Sequence, residues 1–216
     1  MYAVRFILIA AKQLEFAKTR LAPVLPPGER RALAEAMFRD VLAASIGAAA
    51  DHVAVVTSDA GLLALARSAG ALTIDEEFPR GLNVAVGLAT AALIADGART
   101  VCTVLSDIPL IAAEDIDAVF AAMPTGRGVV LVPSRDFSGT NIICRSPAGA
   151  VATRFGRMSL LRHLEDCRSS DLPARVLRLA RPALDLDVVA DLAEFERAGS
   201  ATHTQNQLAR LGIAHR

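Results

Sequence analysis

Two patterns of apolar positions alternate along the chain: short runs rich in branched side chains, and longer stretches where apolar residues recur every three or four positions. AVRFILIA at 3 to 10 reads as a first strand, and after Pro26 and Pro27 a helix from Glu29 to about Ala49 places Leu33, Met37, Val41 and Leu42 on one face. HVAVVT at 52 to 57 reads as a second strand; Ser58 or Asp59 is placed to cap a helix carrying Leu62, Leu63, Leu65 and Ala66, which Gly70 closes. A short strand at Leu72 to Ile74 leads through an acidic loop to Gly81, and LNVAVGLATAALIA has helical spacing up to Gly97. TVCTVL at 100 to 105 is a strand broken by Ser106-Asp107-Ile108-Pro109, Ala112 to Met123 an amphipathic helix with acidic residues in its first turn, and GVVLVP at 128 to 133 the next strand. Beyond it the rhythm changes: NIICR at 141 to 145 reads as a short strand, 159 to 168 as a helix, ARVLRL at 174 to 179 as a strand and Val188 to Ala198 as a last helix.

Strands alternating with helices imply right-handed crossovers and a mostly parallel sheet covered on both faces, with room for one antiparallel strand in the irregular middle. The 216 residues suit a single α/β domain over 1 to 199, followed by a polar tail over 200 to 216. Lys+Arg and Asp+Glu balance at 23 each, so no global field favours a polyanion, and nucleic acid is not an expected partner. The apolar N-terminal run is too short to span a bilayer and has no basic leader, which points to a cytoplasmic protein without a membrane partner. Cys102, Cys144 and Cys167 show no CxxC spacing and suit buried thiols.

In an open α/β sheet, ligands bind beyond the carboxyl ends of the strands, so the residues just after each strand are the ones to inspect. Lys12 and the Lys18-Thr19-Arg20 group follow the first strand and form a cationic loop suited to a triphosphate; by spacing alone it is equally a solvated basic loop. Neither GxGxxG nor GxxxxGK[ST] is present, which argues against a dehydrogenase or P-loop enzyme. Asp107 follows a buried strand, suited either to a hard cation such as Mg2+ or to capping the next helix. Asp185 and Asp187 alternate in ALDLD, so both carboxylates face one way and can share a cation; the alternative is that Asp187 caps the last helix. Gly81 and Asn83 open a helix whose free N–H groups suit a base or phosphate. Gly139-Thr140-Asn141 and Gly156-Arg157-Met158-Ser159 are turns able to hold an anion. The four histidines lack metal-ligand spacing and read as structural or surface residues.

Taken in order, AKTRLAP at 17 to 23, GERRALAEAMFRDVL, GLN at 81 to 83, SDIPL at 106 to 110, SGTN at 138 to 141, FG..S at 155 to 159 and LDLD at 184 to 187 resemble the phospholactate/phosphoenolpyruvate guanylyltransferases of coenzyme F-420 (deazaflavin) biosynthesis. The resemblance implies a three-layer α/β/α nucleotidyltransferase, Rossmann-like and related to glycosyltransferase A domains. It implies transfer of GMP from GTP to the phosphate of 2-phospho-L-lactate, phosphoenolpyruvate or 3-phosphoglycerate, with release of pyrophosphate, and a homodimer. It assigns Mg2+ to Asp107, Asp185 and Asp187, the GTP phosphates to Lys12, Lys18 and Arg20, nucleotide contacts to Gly81 and Asn83, and the acid to Asn141, Gly156 and Ser159. It makes Lys18, Arg20 and Asp107 the expected catalytic set. The sequence departs from the family at Ala10-Ala11, where a proline is common, and in reading Gly-Arg-Met-Ser from 156 where Gly-Pro-Xaa-Ser is usual. The alternatives are a nucleotidyltransferase for another phosphorylated acceptor and an inactive nucleotide-binding homologue, because function resides in the site rather than the fold.

Overall fold

Alternate side chains of the first strand, β1 (Arg5–Ala10), go to opposite faces: Ile7 and Ile9 to one, Phe6, Leu8 and Ala10 to the other, all buried. A strand apolar on both faces needs helices on both sides and belongs in the middle of a sheet. The computed structural model, which describes residues 4–198 and 201–212, places it there. The other strands are β2 (His52–Thr57), β3 (Leu72–Asp75), β4 (Thr100–Leu105), β5 (Gly128–Pro133), β6 (Thr140–Ser146) and β7 (Ala174–Val176). The helices are α1 (Pro27–Gly47), α2 (Ala60–Ser68), α3 (Leu82–Ala95), α4 (Ala113–Ala121), α5 (Ser159–Ser169), α6 (Ala180–Ala183), α7 (Val189–Ala198) and α8 (His203–Leu211).

The sheet order is β3-β2-β1-β4-β6-β5-β7, and every pairing is parallel except the two made by β6, which runs antiparallel to β4 and β5. This is the expected three-layer α/β/α arrangement with one inserted antiparallel strand. The sheet divides the core in two. Ile7, Ile9, Val55, Val104, Val130 and Ile142 pack against α1, α2, α4, α7 and α8, while Phe6, Leu8, Val56, Val129 and Ile143 pack against α3 and α5. Cys102 and Cys144 are register partners on the first face and Cys167 lies under the second; all three are buried and free. Among the described residues, no helix is long and apolar enough to cross a membrane.

Local chemistry sets the element ends. The Asp59 carboxylate accepts from the amides of Gly61 and Leu62 and caps α2. At the other end Gly70 turns with φ +82°, which lets its own amide and that of Ala71 donate back to Arg67 and Ala66. The expected strand at 174 to 179 is shorter, Ala174–Val176, because it is an exposed edge with only β5 as a partner; Leu177 adds one more bond to Leu131. Ala3 and residues 199–200 and 213–216 lie outside the described residues.

Within the stretch expected as a polar tail, residues 203–211 form α8, docked on α1 with Leu208 and Thr204 buried. Asp40, buried in the middle of α1, is the reason. Its carboxylate accepts from the amides of His203 (2.7 Å) and Thr204 (2.9 Å) and from the Thr204 hydroxyl (2.6 Å). Thr202 completes the cap by accepting from the Gln205 amide. Sequence spacing placed Asp40 on a helix but not what it would meet.

His163 in α5 is fully buried, and its two ring nitrogens join separate segments. Nε2 accepts from the Arg154 amide at 2.8 Å, which leaves the ring proton on Nδ1 to donate to the Thr140 hydroxyl at 3.1 Å. Burial, reinforced by the positive charges of Arg145 and Arg154 and opposed by Asp166, lowers its pKa to about 4.

Two outcomes are expected. Asp40→Ala, which removes three hydrogen bonds to a charged group, lowers the urea-unfolding free energy by about 2 kcal/mol and exposes the 201–212 segment to proteolysis first. For His163 the folded pKa lies below the unfolded value of 6.5, so its contribution is complete above pH 6.5 and is lost as pH falls towards 4, up to about 3 kcal/mol. His163→Gln therefore lowers stability at pH 7 but flattens the acid limb of the stability–pH curve; an unchanged slope between those pH values would separate His163 from acid unfolding.

Candidate active site

The carboxyl edge of the sheet holds a cleft of about 350 Å3. Its polar wall comes from two strand ends and one distant segment: Lys12, Lys18 and Arg20 beyond β1, Asp107 beyond β4, and Asp187 from the LDLD segment. Its apolar wall includes Met37 and Phe38 of α1 and Leu82 at the start of α3. Lys18 has a left-handed backbone, φ +53°, uncommon outside glycine, and starts a single 3-10 turn at Thr19–Leu21. Its side chain is 7% exposed, whereas that of Arg20, two residues on, is 73% exposed.

Lys18 is the centre of the polar network. Its Nζ donates to Asp107 Oδ2 at 3.1 Å and to Asp187 Oδ1 at 2.8 Å, and Arg20 Nη1 stands 3.8 Å from Asp187 Oδ2. Burial opposes the Lys18 charge, but the carboxylates of Asp107 and then Asp187 outweigh it and hold its pKa above the ordinary lysine value. Burial also works against the Asp187 anion; Lys18 overcomes it, with help from Arg20 and Lys12, so the Asp187 pKa is lowered. Among the described residues Asp185 has no such cation. Burial first, and the negative charge of Asp107 second, raise its carboxyl to about 6.

The LDLD segment alternates as the sequence implied, with Leu184 and Leu186 in the core and Asp185 and Asp187 partly exposed. Its position is set by the Leu186 amide, which donates to the Asp107 carbonyl at 3.1 Å and so ties the two acidic segments together. Asp187 is released from helix capping by a residue that spacing alone did not single out: Asp191 Oδ2 accepts from the amides of both Asp187 (2.9 Å) and Val188 (2.8 Å). The Asp-Val-Val-Ala-Asp spacing was the available signal.

Asp185 and the remaining expected residues do not line this cleft. Gly81, φ +94°, opens α3 beside Leu82. The Asn83 side chain is engaged with backbone instead of facing outward: its Nδ2 donates to the Phe155 carbonyl at 3.0 Å and its Oδ1 accepts from the Phe155 amide at 2.7 Å. Asn141 is buried at the start of β6, where its Nδ2 donates to the carbonyls of Pro182 (2.9 Å) and Ala183 (3.4 Å), just before LDLD. Gly156 (φ +114°) and Met158 (φ +56°) shape the turn into α5, and the exposed Arg157 lies between them. The Ser159 amide donates to the Gly156 carbonyl, while its buried hydroxyl has no hydrogen-bond partner. Phe155, Thr140 and His163 hold this turn in place, His163 being a residue that spacing did not connect with it; Phe155 packs edge-on against the His163 ring at 5.7 Å.

The donor set fits a hard divalent cation shared with phosphates. Oδ1 of Asp107 is buried without a partner, and Asp185 is a carboxylate with no cation of its own. Among the described residues no three His, Cys, Asp or Glu side chains converge as a ready cage, so Asp107, Asp185 and Asp187 are not brought together as a three-carboxylate cluster.

The comparisons agree with this architecture. Residues 5–216 match the family model described as guanylyl transferase CofC like. The chain is 38% identical to the phosphoenolpyruvate guanylyltransferase of Sphaerobacter thermophilus, over 87% of this chain and 90% of that protein. It is 38% identical to the 3-phospho-D-glycerate guanylyltransferase of Phenylobacterium zucineum, over 90% and 91%. It is 32% identical to the 2-phospho-L-lactate guanylyltransferase of Methanothermobacter thermautotrophicus, over 94% and 89%. Among solved structures, a cytidylyltransferase from Leptospira borgpetersenii shares the fold with TM-score 0.62 at 13% identity, over 99% of this chain and 94% of that one. A Mycobacterium tuberculosis protein solved in complex with manganese does so with TM-score 0.56 at 16% identity, over 92% and 100%. With its seven-stranded nucleotidyltransferase fold and a match over nearly its whole length, this chain belongs to the CofC-like guanylyl transferase family.

Proposed function

We propose that the chain transfers GMP from GTP to the phosphate of a small phosphorylated three-carbon acid, releasing pyrophosphate, as a step of coenzyme F-420 biosynthesis. The observation that carries the chemistry is the cleft at the carboxyl edge, where three basic residues meet acidic side chains. Guanine and the acid class rest on the relatives.

In the reaction, an oxygen of the acceptor phosphate attacks the α-phosphorus of GTP, a new P–O bond forms, and the bond to the bridging oxygen breaks with its electron pair leaving on pyrophosphate. A phosphate monoester is already an anion at neutral pH, its second pKa being about 6, so no general base is required. The work left to the protein is alignment and charge neutralisation. The exposed Lys12 and Arg20 line the cleft where the triphosphate would lie, with Lys18 behind them. Asp107, Asp185 and Asp187 are the residues that would hold a divalent cation. When bound there, it would supply positive charge to offset the negative charge developing in the transition state.

Asn141, Gly156 and Ser159 form the acid side of the proposal. The Ser159 hydroxyl is buried and unpartnered, a group whose desolvation a bound anion would compensate. Arg157 beside it is an exposed cation suited to a second carboxylate or phosphate oxygen. Asn83 acts here by position: bonded to both the amide and the carbonyl of Phe155, it fixes the strip that leads into Gly156.

Pyrophosphate release with Mg2+ and each of GTP, ATP, CTP and UTP, against 2-phospho-L-lactate, phosphoenolpyruvate and 3-phosphoglycerate, tests the proposal. GTP with at least one acid gives turnover; no release in any combination from folded protein overturns it. Asp107→Ala lowers kcat by roughly a thousandfold while circular dichroism and unfolding stay cooperative, and near-normal turnover would remove Asp107 from the mechanism. Asn83→Ala raises the KM for the acid by roughly tenfold or more and leaves that for GTP within a few-fold. The reverse split would make Asn83 a nucleotide contact.

A further inference from the structure

We propose that the Lys18 ammonium is a resident counter-ion, occupying the cation position between Asp107 and Asp187 in the ligand-free protein and giving it up only when nucleotide supplies phosphate oxygens to receive the lysine. Divalent-cation binding is then conditional on nucleotide. The inference rests on the metal and triphosphate reading of the cleft, and adds a coupling that the reading alone does not contain.

The geometry is that of a cation between two ligands. One Nζ lies 3.1 Å from Asp107 Oδ2 and 2.8 Å from Asp187 Oδ1, bridging carboxylates 80 positions apart in the sequence, supplied by separate segments. The lysine reaches that position from a left-handed turn, and the two other basic residues of the cleft, Lys12 and Arg20, stay exposed. Asp107 Oδ1 is left buried without a partner, so the ammonium satisfies the pair only in part.

Like charges exclude one another from this position. A divalent ion arriving alone must displace the ammonium and leave it buried without a carboxylate, a state that costs far more than the pair gains when intact. A triphosphate changes the exchange. Lysine is a point charge on a flexible four-carbon stem, and a short swing within the cleft its side chain already lines moves it from carboxylate to phosphate oxygens without leaving it unpaired. The vacated carboxylates then take the metal that the same phosphates share. Nucleotide and metal are in that case coupled reciprocally, each raising the affinity for the other.

The test is Mn2+ binding followed by electron paramagnetic resonance and calorimetry, without any acceptor acid, so that it reads independently of turnover. Wild-type protein is expected to bind Mn2+ alone weakly, and at least tenfold more tightly with saturating non-hydrolysable GTP analogue, after correction for Mn2+ held by the free analogue. Lys18→Met, similar in length but uncharged, is expected to bind Mn2+ alone at least tenfold more tightly than wild type, and to show a Mn2+-dependent rise in Tm without nucleotide that wild type lacks. Lys18→Arg keeps the charge and is expected to remain a weak binder of Mn2+ alone. Wild-type affinity for Mn2+ that is the same with and without the analogue overturns the proposal and needs no variant. So does a folded Lys18→Met that binds Mn2+ no better than wild type, the result expected of a purely structural ion pair. Failure of guanylyl transfer in the nucleotide and acid panel, with this coupling intact, would instead count against the assigned reaction.

Discussion

The need to neutralise carboxylates gathered at one edge of a sheet is the constraint on which the rest of the site depends. Asp107 and Asp187 bring negative charge to a partly buried place, and one ammonium, from Lys18, lies between them. The consequences are opposite for the two carboxyls of LDLD: Asp187, paired, is held below its ordinary pKa, while Asp185, raised by burial first and by the negative charge of Asp107 second, is pushed to about 6. A site with unfinished charge compensation is suited to a ligand that carries a cation with it, and a nucleotide triphosphate with a divalent ion is such a ligand.

Sheet topology explains why these groups meet. Parallel strands present all their carboxyl ends at one edge, so the residues after β1 and β4, neighbours in the sheet, deliver Lys12, Lys18 and Asp107 together. Because β6 runs the other way, its beginning lies at that same edge, bringing Thr140 and Asn141 alongside. Asn141 then holds the carbonyls of Pro182 and Ala183, and the Asp107 carbonyl holds the Leu186 amide. The distant LDLD segment is thus fastened from both sides before any side-chain charge is considered. The turn from Arg154 to Ser159 is held in a comparable way by Asn83 and His163.

The polar residues that fix these segments make no use of charge against ligand. Asp191 takes over the capping of α7 and leaves Asp187 free; Asp40 caps α8 and fastens it to α1; His163, neutral and fixed in one tautomer, joins β6 to the turn before α5. Each meets backbone donors that would otherwise be buried and unsatisfied. The site is therefore built in two layers, an outer one with charge left to share and an inner one in which hydrogen bonding is nearly complete.

The sequence by itself determined the sheet and its helices, because periodicity of two or of about 3.6 follows from which faces must be buried, and each strand carries that requirement in its own residues. It also made the charged residues legible: Lys12, Lys18, Arg20 and Asp107 come after strands, Asp185 and Asp187 alternate in LDLD, and their order along the chain carries the family resemblance. What it left open were the partners. Nothing in the spacing of Asn83 points to Phe155, 72 positions away, nor in that of Asp40 to Thr204, 164 positions away, and α8 read as a tail because its short amphipathic pattern means little without the α1 surface it covers. Tertiary structure alone decided that Lys18 turns inward between two carboxylates while Arg20 stays in water, since a charge's partner is set by distance in space, and sequence fixes only distance along the chain.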